Sequence, residues 1–107
     1  MEVHKDLGHG FLEAVYQEAL ELELKQRGIP FVAQKGLTVT YKGIELKKRY
    51  VADFVCYGNI LVEIKCISNI GKADRAQLLN YLRASGLRLG LIVNFGSRSK
   101  LEVERMV

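Results

Sequence analysis

A lone acid and an acid–x–lysine triplet are the residues of this chain best equipped for chemistry. Asp53 lies in Tyr50-Val51-Ala52-Asp53-Phe54-Val55-Cys56, and Glu63 and Lys65 lie in Ile60-Leu61-Val62-Glu63-Ile64-Lys65-Cys66. Both runs read as buried strands, where a charge is costly unless it is paired, hydrogen-bonded or bound to a metal. Strand alternation puts Glu63 and Lys65 on one face with Leu61 and Ile67, and Val62, Ile64 and Cys66 on the other. Tyr57-Gly58-Asn59 is a turn signal. A hairpin closed there lays Asp53 across from Glu63, within a register slip. Two carboxylates and an ammonium at one spot suit metal-assisted hydrolysis of a phosphodiester. The carboxylates hold Mg²⁺ or Mn²⁺, and the lysine orients water and neutralises developing charge.

The triplet says little by itself. Glu-x-Lys occurs at Glu23-Leu24-Lys25, Glu45-Leu46-Lys47 and Glu63-Ile64-Lys65. The first reads as helix and the second as a polar outer strand; only the third lies in an apolar strand with an acid on its hairpin partner. The competing reading of Glu63 and Lys65 is a structural ion pair at a sheet edge. Gln77 and Tyr81 fall one helical turn apart on a second helix, where both reach toward the lysine or a phosphate. Their bland alternative is a partly buried amide and a core tyrosine.

The elements that must position these residues follow from periodicity. Residues 10–27 predict an amphipathic helix with Phe11, Leu12, Val15, Tyr16, Ala19, Leu20 and Leu24 on its apolar face and Glu13 at the border. Gly28 and Pro30 end it. Residues 31–67 predict a run of strands, with Leu37 to Tyr41 and Ile44 to Leu46 alternating around Lys42-Gly43. The strands around Asp53 and Glu63 are apolar at nearly every position, as expected when both faces are covered. Residues 72–85 predict a second helix with Ala76, Leu79, Leu82 and Arg83 stepping round it, stopped by Gly86. Leu89 to Phe95 predicts a buried strand and Leu101 to Met106 an edge strand. The pattern is α/β, a sheet with helices packed against it.

Composition narrows the class. With 107 residues, 49% hydrophobic and 26% charged, residues 1–107 form one domain with one core. No window suits a membrane span, and the N-terminus lacks the apolar region of a signal peptide. Cys56 and Cys66 read as small buried hydrophobes in a reducing cytoplasm, not as zinc ligands. Residues 1–34 hold three Lys/Arg against six Asp/Glu, net −3, while residues 35–107 hold thirteen against six, net +7. That basic part includes Lys47-Lys48-Arg49, Lys72, Arg75, Arg83, Arg88, Arg98 and Lys100. It suits nucleic acid as well as it suits an ordinary solvated surface.

Gly10-Phe11-Leu12-Glu13-Ala14-Val15-Tyr16 resembles the Gly-x-x-Glu-x-x-Tyr signature of the GxxExxY proteins, bacterial and archaeal members of the PD-(D/E)XK nuclease superfamily. The resemblance runs from Val3-His4-Lys5 through the Asp53 strand, Glu63-Ile64-Lys65 and Gln77-Leu78-Leu79-Asn80-Tyr81 to Leu91-Ile92-Val93-Asn94-Phe95-Gly96. It implies a restriction-endonuclease-like α-β-β-β-α-β core, a central mixed sheet flanked by helices. It also implies Asp53, Glu63, Glu13 and the backbone of Ile64 as ligands of Mg²⁺ or Mn²⁺, Lys65 as the catalytic lysine, and Gln77 and Tyr81 as support and nucleic-acid contacts. Relatives carry a longer helix ahead of Val3, so the resemblance implies an end that frays or is completed by a partner subunit. They also commonly carry proline where His9 stands; His9 and His4 read as surface residues, not ligands.

The expected function is a divalent-metal-dependent nuclease acting on nucleic acid, with DNA favoured. The alternative is a non-catalytic nucleic-acid-binding or assembly module that keeps the fold, since fold alone does not fix activity. The glycines form no phosphate-binding fingerprint. A chain this small has little surface for gripping a duplex, so a homodimer is a further expectation.

Overall fold

The computed structural model describes residues 2–8, 10–97 and 100–106; His9 and Arg98 fall outside the described residues, as do the side chains of His4 and Asp6. The chain runs α1 (Glu2–Leu7), α2 (Glu13–Gln26), β1 (Phe31–Leu37), β2 (Thr40–Tyr41), β3 (Ile44–Glu45), β4 (Tyr50–Cys56), β5 (Ile60–Lys65), α3 (Lys72–Ser85), β6 (Leu89–Asn94) and β7 (Glu102–Met106). Five strands form one mixed sheet in the order β1-β4-β5-β6-β7, and β2 and β3 pair separately as a short ribbon. β5 and β6 are parallel, joined by α3 as the crossover, and the other pairs are antiparallel. This is the mixed sheet flanked by helices that the sequence implies.

In place of the single core expected from the chain length, each face of the sheet has its own, because helices cover both. On one, Tyr16, Leu20 and Leu24 of α2 pack with Phe54, Val62, Ile64, Val93 and Phe95. On the other, Leu78 and Leu82 of α3 pack with Ala52, Val55, Leu61 and Ile92. The inner strands are therefore covered on both sides, which explains their unbroken apolar sequence. Gly28 (φ +68°) and Gly86 (φ +77°) end α2 and α3 in the left-handed conformation.

Local details differ from the periodic reading. α2 starts at Glu13 rather than near residue 10, and only Tyr16, Leu20 and Leu24 form its buried seam. Phe11, Leu12 and Val15 are exposed, because the sheet covers only the i, i+4, i+8 stripe. On α3 the buried pair is Leu78 and Leu82, so the inward stripe lies one residue away from Leu79. The alternation at Leu37 to Tyr41 does not build one strand: β1 ends at Leu37, and Thr40-Tyr41 belongs to the separate ribbon. Helix α1 packs Val3 and Leu7 under α2; its six residues are too short for a periodic signal.

Tyr16 ties the first motif to the core. Its ring is fully buried and stacks on Phe95 with centroids 4.5 Å apart. Its hydroxyl donates to the Gly8 carbonyl at 2.6 Å and accepts from the Phe11 N–H at 3.2 Å. Gly10 sits at φ +106°, a conformation that favours glycine. The glycine and tyrosine of this motif thus hold the chain entering α2, leaving Glu13 as its chemical residue. Tyr16→Phe should cost about 1 kcal/mol in a urea unfolding titration, because it leaves the half-buried Gly8 carbonyl and the Phe11 N–H without their partner.

Candidate active site

Asp53 and Glu63 occupy the point where β4 and β5 part. The β4–β5 ladder runs from Cys56↔Ile60 through Val55↔Leu61 to Phe54↔Val62 and stops. In that register Asp53 and Glu63 are the next opposed pair. The Asp53 carboxylate takes over from the backbone: its Oδ2 accepts the Ile64 N–H at 2.7 Å. β4 meanwhile stays paired with β1 as far as Tyr50. The sheet therefore forks with one acid on each prong.

A second irregularity aims Asp53. The β1–β4 register is the same on both sides of residue 53, yet the Gln34–Asp53 pair is missing and Gln34 adopts φ +52°. Phe54 and Cys56 pack on the α2 side, whereas Tyr50 and Ala52 pack on the α3 side. On β1, Phe31 and Ala33 likewise face α2 while Leu37 faces α3. Both strands switch faces at this point, so Asp53 is aimed toward β5 instead of being sealed into a core. The Gln34 side chain favours the charged form of Asp53, and Gln17 Nε2 of α2 donates to the Asp53 carbonyl at 3.2 Å. Glu13, Gln17, Gln34 and Asp53 line an open cleft of about 530 Å³ on the α2 side.

β5 keeps its alternation. Glu63 and Lys65 face α3 with Leu61, while Val62, Ile64 and Cys66 face α2. Glu63 is only 8% exposed, and Tyr50 Oη donates to its Oε1. The Tyr50 ring stacks on Tyr81 of α3, with centroids 3.4 Å apart. Lys65 Nζ donates to Gln77 Oε1 at 3.0 Å and lies 4.0 Å from Asp74 Oδ1. Gln77 also acts on the Tyr81 hydroxyl, opposing the rise that burial gives it. β5 is the central strand, and Lys65 turns to α3 rather than to Glu63, so an ion pair at a sheet edge does not describe these residues.

The electrostatics bind these residues into one unit. Burial pushes the Glu63 carboxyl up to about 7, with Lys65 opposing and Glu13 adding to the rise. Burial raises Asp53 as well, against the Ile64 N–H and Lys65, which favour the charged form. Glu13 stands at the exposed rim; desolvation raises it, Asp53 adds to that and Lys65 opposes it. Tyr81 is raised by burial and then by Glu63. Burial also pushes the free thiols of Cys56 and Cys66 up, which keeps them as packing residues. The structure thus gathers Glu13, Asp53, Glu63, Lys65, Gln77 and Tyr81 around one fork.

Among the described residues, no three His, Cys, Asp or Glu side chains form a ready-made metal cage. The donor set still suits a hard cation. Mg²⁺ commonly takes one or two carboxylates and keeps several waters. Acids whose charged forms are destabilised by burial also gain from a cation between them.

Several supporting residues escape sequence reasoning. Tyr50, Gln17, Gln34 and Asp74 are ordinary polar residues until the fold brings them in. Asn94 is fully buried beside Lys65, its partner in the parallel β5–β6 register. Its Oδ1 accepts the Ile67 and Gly96 N–H groups, each at 3.0 Å. Its Nδ2 donates to the Ile67 carbonyl at 2.8 Å and to Glu102 Oε1 at 2.9 Å. This clamp fixes the backbone as it leaves Lys65. In the sequence it shows as a polar residue at the end of an apolar strand, within the Leu91-to-Gly96 stretch of the resemblance.

Comparison with known proteins agrees with this architecture. The protein SSO0001, whose crystal structure is solved, superposes with a TM-score of 0.67 at 18% identity, over 87% of this chain and 48% of that one. An alkaline exonuclease (LHK-Exo) from Laribacter hongkongensis superposes with a TM-score of 0.57 at 13% identity, over 83% of this chain and 52% of that one. The chain spans about half the length of each, and at these identities the likeness is one of fold. No curated protein matches the sequence. Residues 1–106 match the PD-(D/E)XK nuclease superfamily, and that match covers the fork, the lysine and both flanking helices. The chain belongs to the PD-(D/E)XK nuclease superfamily.

Proposed function

We propose that this chain is a divalent-metal-dependent nuclease that hydrolyses phosphodiester bonds, with DNA as substrate and Mg²⁺ or Mn²⁺ as cofactor. One observation carries the reading: two acids are register-opposed where a β-ladder opens, with a lysine two residues beyond, held by Gln77. The Gly10-x-x-Glu13-x-x-Tyr16 signature favours the GxxExxY branch of the superfamily. In this reading residues 1–107 act as one cytoplasmic nuclease domain, and a homodimer widens its grip on nucleic acid.

Asp53 and Glu63 would hold the cation, with the Ile64 backbone and Glu13 completing the set. A cation bound there polarises the phosphate and lowers the pKa of water. Tyr50 donates to Oε1 of Glu63 and so orients the carboxylate. Lys65 orients the attacking water and neutralises charge developing on the phosphate. Gln77 holds the ammonium by accepting a hydrogen bond from it, and Tyr81 stacks on Tyr50 beside them.

The test is cleavage of end-labelled DNA across a Mg²⁺ and Mn²⁺ titration. Activity should vanish in EDTA and return with either ion. Lys65→Ala should slow cleavage by about a hundredfold to a thousandfold. Gln77→Ala, which removes a positioning contact, should cost about tenfold and shift the pH profile while binding stays intact. DNA binding with no cleavage under any metal would replace this reading with the non-catalytic module.

A further inference from the structure

The segment from Lys35 to Arg49 carries Lys35, Lys42, Lys47, Lys48 and Arg49 against the single acid Glu45. Its net charge of +4 equals that of the whole chain, so everything outside it sums to zero. The same segment holds the β2–β3 ribbon, which pairs with no strand of the main sheet. Residues 40–49 are all exposed, including Tyr41 at 60% and Ile44 at 68%. A two-stranded ribbon with so little burial is marginal by itself. Its tip is nonetheless preformed: Lys42 (φ +50°) and Gly43 (φ +76°) both take the left-handed conformation of a tight hairpin turn.

The ribbon also springs from the fork. Leu37 and Tyr50 form the last β1–β4 pair beneath it, and Tyr50 is the residue that donates to Glu63. From Leu37 to Tyr41 the arm reaches about 13 Å, or about four base-pair steps along a duplex.

We propose that the β2–β3 arm is a nucleic-acid grip: a basic ribbon that follows the phosphate backbone of a DNA duplex leading into the fork, with Tyr41 and Ile44 contacting the groove. A two-stranded ribbon fits the major groove of such a duplex. The concentration of charge selects a polyanion over a second copy of the arm, which it would repel. The inference rests on the nuclease reading for its substrate but not for its measurement.

The experiment is fluorescence-anisotropy binding of a labelled 20-base-pair DNA duplex in EDTA, so that no cleavage intervenes. Lys42→Gln, Lys47→Gln, Lys48→Gln and Arg49→Gln combined should weaken binding at least about thirtyfold at low salt. The slope of log K against log[salt] should fall by about three. Tyr41→Ser with Ile44→Ser should weaken binding severalfold at unchanged slope. Thermal melts should show both variants folded, since every substituted side chain is exposed. A quadruple variant that binds like the parent, or a parent that does not bind the duplex, overturns the proposal. So does a Tyr41→Ser, Ile44→Ser variant that turns a dimer into a monomer and leaves binding intact. Restoring Mg²⁺ separates the two readings. Arm-dependent binding without cleavage rejects the nuclease alone, and full cleavage by the quadruple variant rejects the arm alone.

Discussion

Glu63→Gln should abolish cleavage and, in the metal-free protein at pH 8, raise the melting temperature. Both effects have one origin. The Glu63 carboxyl is buried against Tyr50, which donates to it, and burial pushes its pKa from an ordinary 4.5 to about 7. The folded chain therefore holds a proton that the unfolded chain releases. Below pH 4.5 both states are protonated and the buried group costs nothing extra. As pH rises from 4.5 through 7 the unfolded state is increasingly favoured, and the folded protein loses up to about 3 kcal/mol before the curve levels. Glutamine carries no charge, can still accept the Tyr50 proton, and removes that loss. At pH 8 the gain should reach on the order of 10 °C in melting temperature, and near pH 4.5 it should disappear. Asp53 and Glu13 are raised in the same direction, so the variant keeps a residual decline of its own. Cleavage should fall by at least about a hundredfold, since a neutral amide no longer draws a cation. Mg²⁺ should raise the melting temperature of the parent by mass action and leave the variant almost unmoved. Melting curves from pH 4.5 to 8, with and without Mg²⁺, decide the matter. A variant no more stable than the parent at pH 8 would remove the buried-charge account of Glu63.

The residues that meet at the fork are more legible in the sequence than the scaffolding that brings them there, for a physical reason. Glu63 and Lys65 stand out because a charge in a fully apolar strand is rare, and Asp53 because a turn three residues past its strand core returns the chain against it. Helix α3 and strand β6 end where glycine and polar residues say they should. The fork itself left little trace. It depends on Gln34 adopting a positive φ, which no residue preference announces for glutamine, and on both strands switching faces at one pair. Alternation counting assumes a regular pleat and cannot see that switch. The exposure of Phe11, Leu12 and Val15 escapes the sequence pattern for a related reason. Periodicity shows which residues share a stripe, but only the width of the sheet shows how much of the stripe is covered. Tyr50, Asp74 and Asn94 matter through partners far away in sequence, and no local pattern encodes them.

Gly96→Ala should be the most damaging small substitution outside the acids. A Cβ at this position would lie 2.4 Å from the Ile67 carbonyl oxygen, 2.5 Å from its nitrogen and 2.7 Å from the Cys66 carbonyl carbon. These are backbone atoms, and the Asn94 side chain also pins the Ile67 N–H and carbonyl. Neither side can yield without breaking that clamp. The expected cost is roughly 3 kcal/mol or more, a drop of at least about 10 °C in melting temperature. Gly90→Ala is the internal comparison. Its Cβ would meet Leu78 side-chain atoms at 3.0–3.1 Å, and a leucine can shift its rotamer, so the cost there should be smaller by half or more. Whatever fraction of Gly96→Ala still folds must move the chain at Ile67, two residues beyond Lys65. Its cleavage rate per folded molecule should therefore fall, whereas that of Gly90→Ala should not. Equal melting temperatures for the two variants would show that the Ile67–Asn94–Gly96 junction gives way easily. In that case the clamp could not be what holds Lys65 at the fork.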